Sequence, residues 1–149
     1  MMDFTIDKIE AGNYPQFEDM IFWRQNGFER ASSHGPVSKQ ILQELANPNL
    51  YLYALRVKER YAGWISLVYI PKVGKWNGQG HVYVDELWVA EEYRGKGYGK
   101  ALMQKADDLK EELNASGIRL YVNVNNSSAQ KLYERCGYHA DGQAYFMEK

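Results

Sequence analysis

The chain has 149 residues, of which 45% are hydrophobic and 25% charged, which is ordinary for one soluble globular domain. Its 18 basic and 19 acidic residues leave a net charge of −1, which argues against nucleic acid or an anionic membrane surface as a partner. The longest mainly apolar run, Trp64 to Ile70, is too short to span a membrane, and no secretory signal pattern begins the sequence. With one cysteine and three scattered histidines, we expect a single cytoplasmic domain over residues 1–149 without a metal site.

The first half of the chain predicts a strand, two helices and a hairpin. Phe4 to Ile9 alternates apolar and polar side chains, as a half-buried strand does. Helices are expected over Pro15 to Gln25 and over Val37 to Ala46. Leu50 to Val57 and Tyr61 to Ile70 are rich in β-branched and aromatic residues and are joined by a short polar turn, which predicts an antiparallel hairpin.

The segment from Val82 to Met103 carries the most informative pattern. An extended apolar run, interrupted by the adjacent acids Asp85 and Glu86, leads into a glycine-rich loop and then a helix. The first turn of a helix has unpaired N–H groups and a partial positive charge, and glycine lets an anion approach the backbone closely. The loop also adds basic side chains, so the segment predicts a phosphate-binding site. Its residues are Arg94, Gly95, Lys96, Gly97, Tyr98, Gly99 and Lys100.

The spacing of this loop decides among phosphate ligands. Glycines at positions 95, 97 and 99 do not have the Gly-x-Gly-x-x-Gly spacing of a dinucleotide loop. A P-loop requires Ser or Thr after Gly-Lys, and Ala101 stands there. Arg94, Gly97 and Gly99 instead form Arg-x-x-Gly-x-Gly, which resembles the diphosphate loop of the GNAT acyltransferase superfamily. The alternative is a glycine-rich turn that binds no ligand.

The second half of the chain alternates helix and strand. Gly97 to Ala115 has an apolar stripe opposite a charged face and predicts the strongest helix. Ile118 to Val124 alternates as a strand, and Ser127 to Arg135 is predicted as a helix. The tail, Tyr138 to Lys149, is expected to form two short extended pieces around Asp141-Gly142.

A second motif extends the resemblance. Asn126-Ser127-Ser128-Ala129, followed by the run Leu132 to Tyr138, is similar to the Asn-x-x-Ala turn and the Leu-Tyr helix end of GNAT enzymes. The resemblance implies an α/β domain of GNAT type, with a mixed twisted sheet of about seven strands flanked by about four helices. It also suggests a homodimer.

The resemblance further implies a binding site for acetyl-CoA, with no metal. The backbone of Leu87, Trp88 and Val89 would hold the pantetheine arm, with the N–H near Val89 facing the thioester oxygen. Asn126 would bind the arm by a hydrogen bond, and the diphosphate would lie on the glycine-rich loop described above.

Transfer of an acetyl group to an amine requires two proton transfers, because the alkylammonium must lose a proton and the leaving thiolate must gain one. The resemblance places Tyr133 near the sulfur as the acid; the alternative is a core tyrosine. Asp85 and Glu86 are both candidates for the base, although strand alternation directs them to opposite faces unless a bulge intervenes. Trp76 and Tyr83 are weaker candidates for an aromatic wall around a cationic amine.

The predicted activity is therefore N-acetyl transfer from acetyl-CoA to a primary amine, either a small molecule or a peptide, by direct attack in a ternary complex. The alternative is a non-catalytic module of the same fold that binds or senses acyl-CoA.

Overall fold

The computed structural model describes residues 3–30 and 35–149, apart from the side chains of Lys75 and Trp76. Five strands form one sheet in the order β1-β2-β3-β4-β5. The elements along the chain are β1 (Thr5–Lys8), α1 (Tyr14–Asn26), α2 (Lys39–Leu45), β2 (Leu50–Val57), β3 (Arg60–Ile70), β4 (His81–Val89), α3 (Tyr98–Glu112), β5 (Ile118–Leu120) and α4 (Ser127–Arg135).

The sheet is mixed, as predicted. Strands β1 to β4 are antiparallel neighbours, and β5 runs parallel to β4 because α3 carries the chain back along one face. The strand count differs from the expected seven. In the described part of the chain, the last strand ends at Leu120 rather than Val124, and the tail after Tyr138 forms no strand. A strand needs a partner to complete its hydrogen bonds, and these segments have none here.

Two apolar layers cover the two faces of the sheet. Successive strand residues alternate between them, so Ala54 and Trp64 face α1 whereas Leu55 and Ile65 face α3. The layer under α3 contains Leu55, Ala62, Ile65, Leu67, Val82, Val84, Tyr98, Leu102, Met103, Ala106, Leu109 and Ala115. The layer under α1 is smaller and contains Ile9, Phe17, Met20, Ala54, Tyr61 and Trp64.

Two helices are shorter than the sequence predicts. Helix α2 begins at Lys39 because the hydroxyl of Ser38 accepts a hydrogen bond from the N–H of Ile41 (3.2 Å), which caps the first turn. Helix α3 ends at Glu112, and Asn114 adopts a left-handed conformation (φ 51°) that closes the helix before Ala115.

A bulge interrupts β4 at Asp85. Ser66 of β3 pairs with Glu86, and the next residue, Leu67, pairs with Val84, so Asp85 is an extra residue without a partner on β3. An extra residue reverses the side-chain alternation beyond it. This one residue separates the part of β4 that fills the core from the part that forms the candidate site.

Candidate active site

The bulge brings both candidate bases to one face of the sheet. Before the bulge, Val84 packs in the layer under α3, so Tyr83 and Asp85 lie on the opposite face. Beyond the bulge, Trp88 packs against the layer under α1, and Glu86 lies on that same face. Asp85 and Glu86 therefore both lie on the α1 side. Strand alternation would have placed them on opposite faces without the bulge.

An opening lies between β4 and β5. The two strands pair only through Val82, Tyr83 and Val84, opposite Ile118, Arg119 and Leu120. From Glu86 to Val89, β4 pairs with β3 on one side and, among the described residues, with no strand on the other. Backbone groups on that free side are available to a ligand.

The hydrogen-bond pattern identifies which backbone groups face the opening. The N–H of Ala90 donates to the carbonyl of Ala62 (2.8 Å), and hydrogen-bonded pairs alternate along antiparallel strands. Trp88 therefore directs its backbone groups toward β3, whereas Leu87 and Val89 direct theirs into the opening. The predicted backbone contact with an acyl-CoA arm narrows from three residues to Leu87 and Val89.

The glycine-rich loop follows directly after this strand. Arg94, Gly95, Lys96 and Gly97 are all exposed, and both glycines have positive φ angles (77° and 85°) that L side chains rarely adopt. Gly97 immediately precedes α3, so the loop presents backbone N–H groups at the positive end of a helix of 15 residues. This geometry suits a diphosphate.

Not every residue of the loop is free to contact a ligand. The Nε–H of Arg94 donates to the carbonyl of Val89 (2.8 Å), which fastens the loop to the end of β4. The ring of Tyr98 is buried, edge-to-face with Phe4, so only its backbone remains for binding. A Cβ at Gly99 would lie 3.1 Å from Leu132 Cδ2, so that glycine serves the packing of α4 on α3. Lys100 is exposed on the first turn of the helix.

Asn126 caps α4 as well as being a candidate ligand contact. Its Oδ1 accepts hydrogen bonds from the N–H of Ala129 (3.2 Å) and from the hydroxyl of Ser128 (3.3 Å). The oxygen is therefore committed to the helix, and the Nδ2 donors remain for an arm. Asn126 can have both roles. By capping the start of α4, it also fixes the position of Tyr133 on that helix.

Tyr133 is half-buried beside the α3 layer and near the free end of β4. Its ring lies 6.3 Å from that of Tyr138, and the neighbouring Leu132 and, on β4, Val89 both lie within 4.0 Å of a Cβ placed on Gly99. Burial raises the pKa of the Tyr133 hydroxyl above its ordinary value, with a smaller contribution from Cys136. The hydroxyl therefore stays protonated through neutral pH, as a proton donor must.

The environments of the two acids differ. Glu86 is held by an ion pair, with its Oε2 3.1 Å from Nη1 of Arg24 on α1. Asp85 forms no ion pair with any described residue. Partial desolvation, followed by the charge of Glu86, raises the pKa of the Asp85 carboxyl above its ordinary value. A carboxylate that is unpaired and more basic than usual is the better proton acceptor.

The sequence did not single out the aromatic cluster beside these acids. The rings of Trp64 and Trp88 lie 5.0 Å apart, and Trp23 packs edge-to-face on Trp88. The guanidinium of Arg24 lies 4.9 Å from the Trp64 ring and 5.9 Å from that of Trp88. The sequence signal for this cluster is the presence of four tryptophans in the chain.

The aromatic wall of Trp76 and Tyr83 around a cationic amine stays a prediction. Tyr83 packs on Tyr121 (6.1 Å between ring centroids), and the side chain of Trp76 lies outside the described residues. The cation–π contacts near the acids involve Trp64 and Trp88 instead.

Within residues 3–30 and 35–149, no helix is both long and apolar enough to cross a membrane. No group of three or more His, Cys, Asp or Glu side chains is placed to hold a metal ion in that part of the chain.

Comparison with known proteins identifies the family. A model of the acetyltransferase (GNAT) family matches residues 17–138, which is most of the chain. The chain belongs to this family. The predicted family, the α/β fold class and the assignment to the acyltransferases are thereby confirmed.

Individual relatives resemble the chain over different extents. An uncharacterized N-acetyltransferase of Bacillus subtilis (strain 168), YycN, is 28% identical over 108 residues, covering 68% of this chain and 67% of its own. An N-alpha-acetyltransferase of Sulfurisphaera tokodaii is 38% identical over 96 residues, covering 57% of this chain and 54% of its own. The chain thus spans between half and two thirds of the length of these curated relatives.

One solved structure shows how completely the fold is shared. An aminoglycoside acetyltransferase from an uncultured soil metagenomic sample, in complex with trehalose, superposes with a TM-score of 0.81 at 16% identity. The match covers 99% of this chain and 95% of that one. At this identity the likeness concerns the fold alone.

Proposed function

We propose that this member of the GNAT family transfers an acetyl group from acetyl-CoA to a primary amine by direct attack in a ternary complex. The observation that carries the proposal is the opening between β4 and β5, where the backbone groups of Leu87 and the N–H of Val89 face the free side directly before the glycine-rich loop. An extended ligand arm fits the free edge of the strand, and a diphosphate fits the start of the helix that follows it.

The cofactor would be held mainly by backbone atoms. Leu87 and Val89 would pair with the arm, and the N–H of Val89 would donate to the thioester oxygen, whose negative charge grows in the transition state. Gly95, Lys96 and Gly97 would bind the diphosphate, with Lys96 and Lys100 supplying positive charge. When bound, acetyl-CoA supplies the activated acyl group.

Asp85 is proposed as the base and Tyr133 as the acid. The carboxylate of Asp85 would take a proton from the attacking ammonium, and the hydroxyl of Tyr133 would give one to the leaving thiolate. Glu86 would not share the role of base, because its charge is already paired with Arg24. Of the two acids that the sequence left open, the geometry therefore favours Asp85.

The acceptor is proposed only as a class. Names of similar proteins point to a peptide amino terminus in one case and to an aminoglycoside in another. Both are amines, and the exposed carboxylate of Asp85, which has no ion-pair partner among the described residues, suits a cationic acceptor. A cytoplasmic location stays a prediction that the single cysteine supports.

Calorimetric titration of the purified protein with acetyl-CoA tests the binding part, with NAD and ATP as controls. Acetyl-CoA should bind and the controls should not. Lys96→Glu should weaken binding about tenfold by placing a negative charge at the diphosphate site. Lys39→Glu makes the same charge change at the start of α2 and should leave binding unchanged. A folded protein that does not bind acetyl-CoA would contradict the proposal.

The catalytic part needs a second assay. Release of free CoA thiol in the presence of a panel of small amines and short peptides distinguishes an enzyme from a module that only binds acyl-CoA. Thiol release that depends on one amine class supports the transferase and identifies its acceptor. Binding without amine-dependent release across the panel would favour the sensing module.

A further inference from the structure

A histidine without a hydrogen-bond partner is buried at the start of β4. His81 is only 6% exposed, and no other polar or charged residue of the described chain is buried as deeply. Its imidazole forms no hydrogen bond or ion pair with any described residue. A polar group that is withdrawn from water without a partner is costly, so such a group in a folded protein calls for an explanation.

His81 borders a cavity at the end of the sheet where β4 and β5 begin. The cavity has a volume of about 280 Å³ and is lined by His81, Ser116, Gly117, Ile118 and Arg119. One water needs only about 10–15 Å³ of such space, whereas the sites of drug-sized ligands begin at about 300 Å³. The cavity therefore has the size for a small ligand.

Hydrogen bonds hold the walls of this cavity in place. The N–H and the hydroxyl of Ser116 both donate to the carbonyl of Gly80 (2.8 and 2.9 Å). The N–H of Gly80 in turn donates to the hydroxyl of Tyr69 (2.9 Å), and the N–H of Val82 donates to the carbonyl of Gly117 (2.9 Å). The cavity is thus a fixed feature of the fold, built where two strands and a loop meet.

The charges around the cavity are positive. Val82 and its partner Ile118 pack toward α3, so His81 and Arg119, their neighbours in sequence, lie on the opposite face of the sheet. Arg119 has no ion-pair partner among the described residues. Burial, and then the charges of Arg119 and Lys72, lowers the pKa of His81. Both of the charges that act on the imidazole are therefore cationic, and neither is offset by a carboxylate.

We propose that this cavity binds a small oxyanion between His81 and Arg119, with a phosphate group as its preferred ligand. Phosphate oxygens accept hydrogen bonds from an imidazole and from a guanidinium, and a dianion offsets the two charges of Arg119 and Lys72. His81 precedes Asp85 by four residues, which is about 13 Å along a strand. The site is therefore separate from the proposed acetyl-transfer site and does not depend on that activity.

Titration with inorganic phosphate, followed by NMR, tests the site directly. The ring signals of His81, assigned by their loss in His81→Gln, and the amide signal of Gly117 should shift and saturate. The pKa of His81, measured from its ring shifts, should rise when phosphate is present, because a nearby anion favours the charged imidazole. Sodium chloride at the same ionic strength should produce neither change. The absence of saturable shifts, or equal shifts with chloride, would overturn the proposal.

A matched pair of variants tests the guanidinium. Arg119→Gln should weaken phosphate binding about fivefold, since one charge at about 4 Å is worth roughly this factor in water. Arg119 is exposed, so the fold should tolerate the change. Arg30→Gln removes an arginine that pairs with Glu18 instead, and phosphate binding should be unchanged. Equal affinities in the two variants would contradict a site at Arg119.

A further variant separates this site from the glycine-rich loop, where phosphate is also expected to bind. Lys96→Glu should reduce the phosphate-induced shifts at Gly97 and leave those at His81 intact. Shifts confined to the glycine-rich loop would overturn the proposal and leave the acetyl-CoA site unaffected.

Acetate tests the preference for a dianion. With a single charge, it should bind at the His81 cavity at least threefold more weakly than phosphate. Equal affinity for acetate and phosphate would contradict the assignment of a phosphate group as the preferred ligand.

Discussion

The two halves of β4 differ in their burial and in the strands with which they pair. His81, Val82 and Val84 are buried, and this half pairs with β3 on one side and β5 on the other. The second half, Asp85 to Val89, pairs with β3 from Glu86 onward but not with β5. Its first two side chains are exposed acids. One strand thus serves as core at its beginning and as a candidate site at its end.

The difference originates in one extra residue. The bulge at Asp85 lets Val84 and Leu87 both pack toward α3, and it leaves both acids on the other face. A regular strand would place one of the acids against the core, where an ionised carboxylate is costly. Substitutions in the second half should therefore act on activity, and substitutions in the first half should act on stability.

The largest effect on activity is expected from Asp85→Asn. Loss of the proposed base should lower kcat by a factor of about 10²–10⁴, with the affinity for acetyl-CoA unchanged. In the wild type, kcat/KM should fall as the pH drops through the raised pKa of Asp85, because only the carboxylate accepts a proton.

The stability of the Asp85→Asn variant shows whether its loss of activity comes from the missing base or from unfolding. A raised folded-state pKa means that ionisation of Asp85 destabilises the fold above that pKa, and this cost disappears as the pH falls through it. Asp85→Asn should therefore be at least as stable as the wild type at neutral pH. Full activity in this variant would exclude Asp85 as the base.

The next effect is expected from Tyr133→Phe. Loss of the donor to the thiolate should lower kcat about 10²–10³-fold while acetyl-CoA still binds, as a thiol-release assay and a titration would show. Tyr138→Phe is the matched control, because the hydroxyl of Tyr138 is buried without a hydrogen-bond partner. That control should keep its activity and gain about 1 kcal/mol of stability. Equal activity in both variants would identify Tyr133 as a packing residue.

The first half of β4 should respond to Gly80→Ala, just before the strand. An added Cβ would lie 2.1 Å from the carbonyl oxygen of Ile70, so the backbone of β3 or β4 must move. We expect a loss of about 3 kcal/mol in the free energy of unfolding, measured with urea. Gly117→Ala, where the new methyl group meets open space, should change it by less than about 0.5 kcal/mol. Similar values for the two variants would contradict a tightly packed first half.

The smallest effect is expected from Arg24→Gln. Without the guanidinium, the charge of Glu86 is no longer offset near Asp85, so the pKa of Asp85 should rise further. The acid limb of the kcat/KM profile should move upward by about half a pH unit, since exposed ion pairs are weak. Arg30→Gln removes another arginine, one that pairs with Glu18, and should not shift the acid limb of the kcat/KM profile. A limb unmoved by Arg24→Gln would show that Glu86 does not influence the base.

Much of the fold could be predicted because its signals are local. Leu50–Val57 and Ser127–Arg135 have the predicted bounds, since alternation and capping depend on neighbouring residues alone. The loop at Arg94 to Gly97 could also be predicted, because glycine spacing before a helix is a property of contiguous sequence. The sequence missed the ion pair between Arg24 and Glu86, which are 62 residues apart.

The family, the loop that suits a diphosphate, and the helices and strands up to Leu120 could be predicted from the amino-acid sequence alone. That Asp85 is a bulge could be learned only from the folded chain, because a bulge exists only relative to the pairing with β3. The same holds for the separation of β4 from β5, because an open strand edge is defined by the lack of a neighbouring strand among the described residues. Local patterns fix which segments become strands, whereas pairing between distant segments fixes which backbone groups remain free.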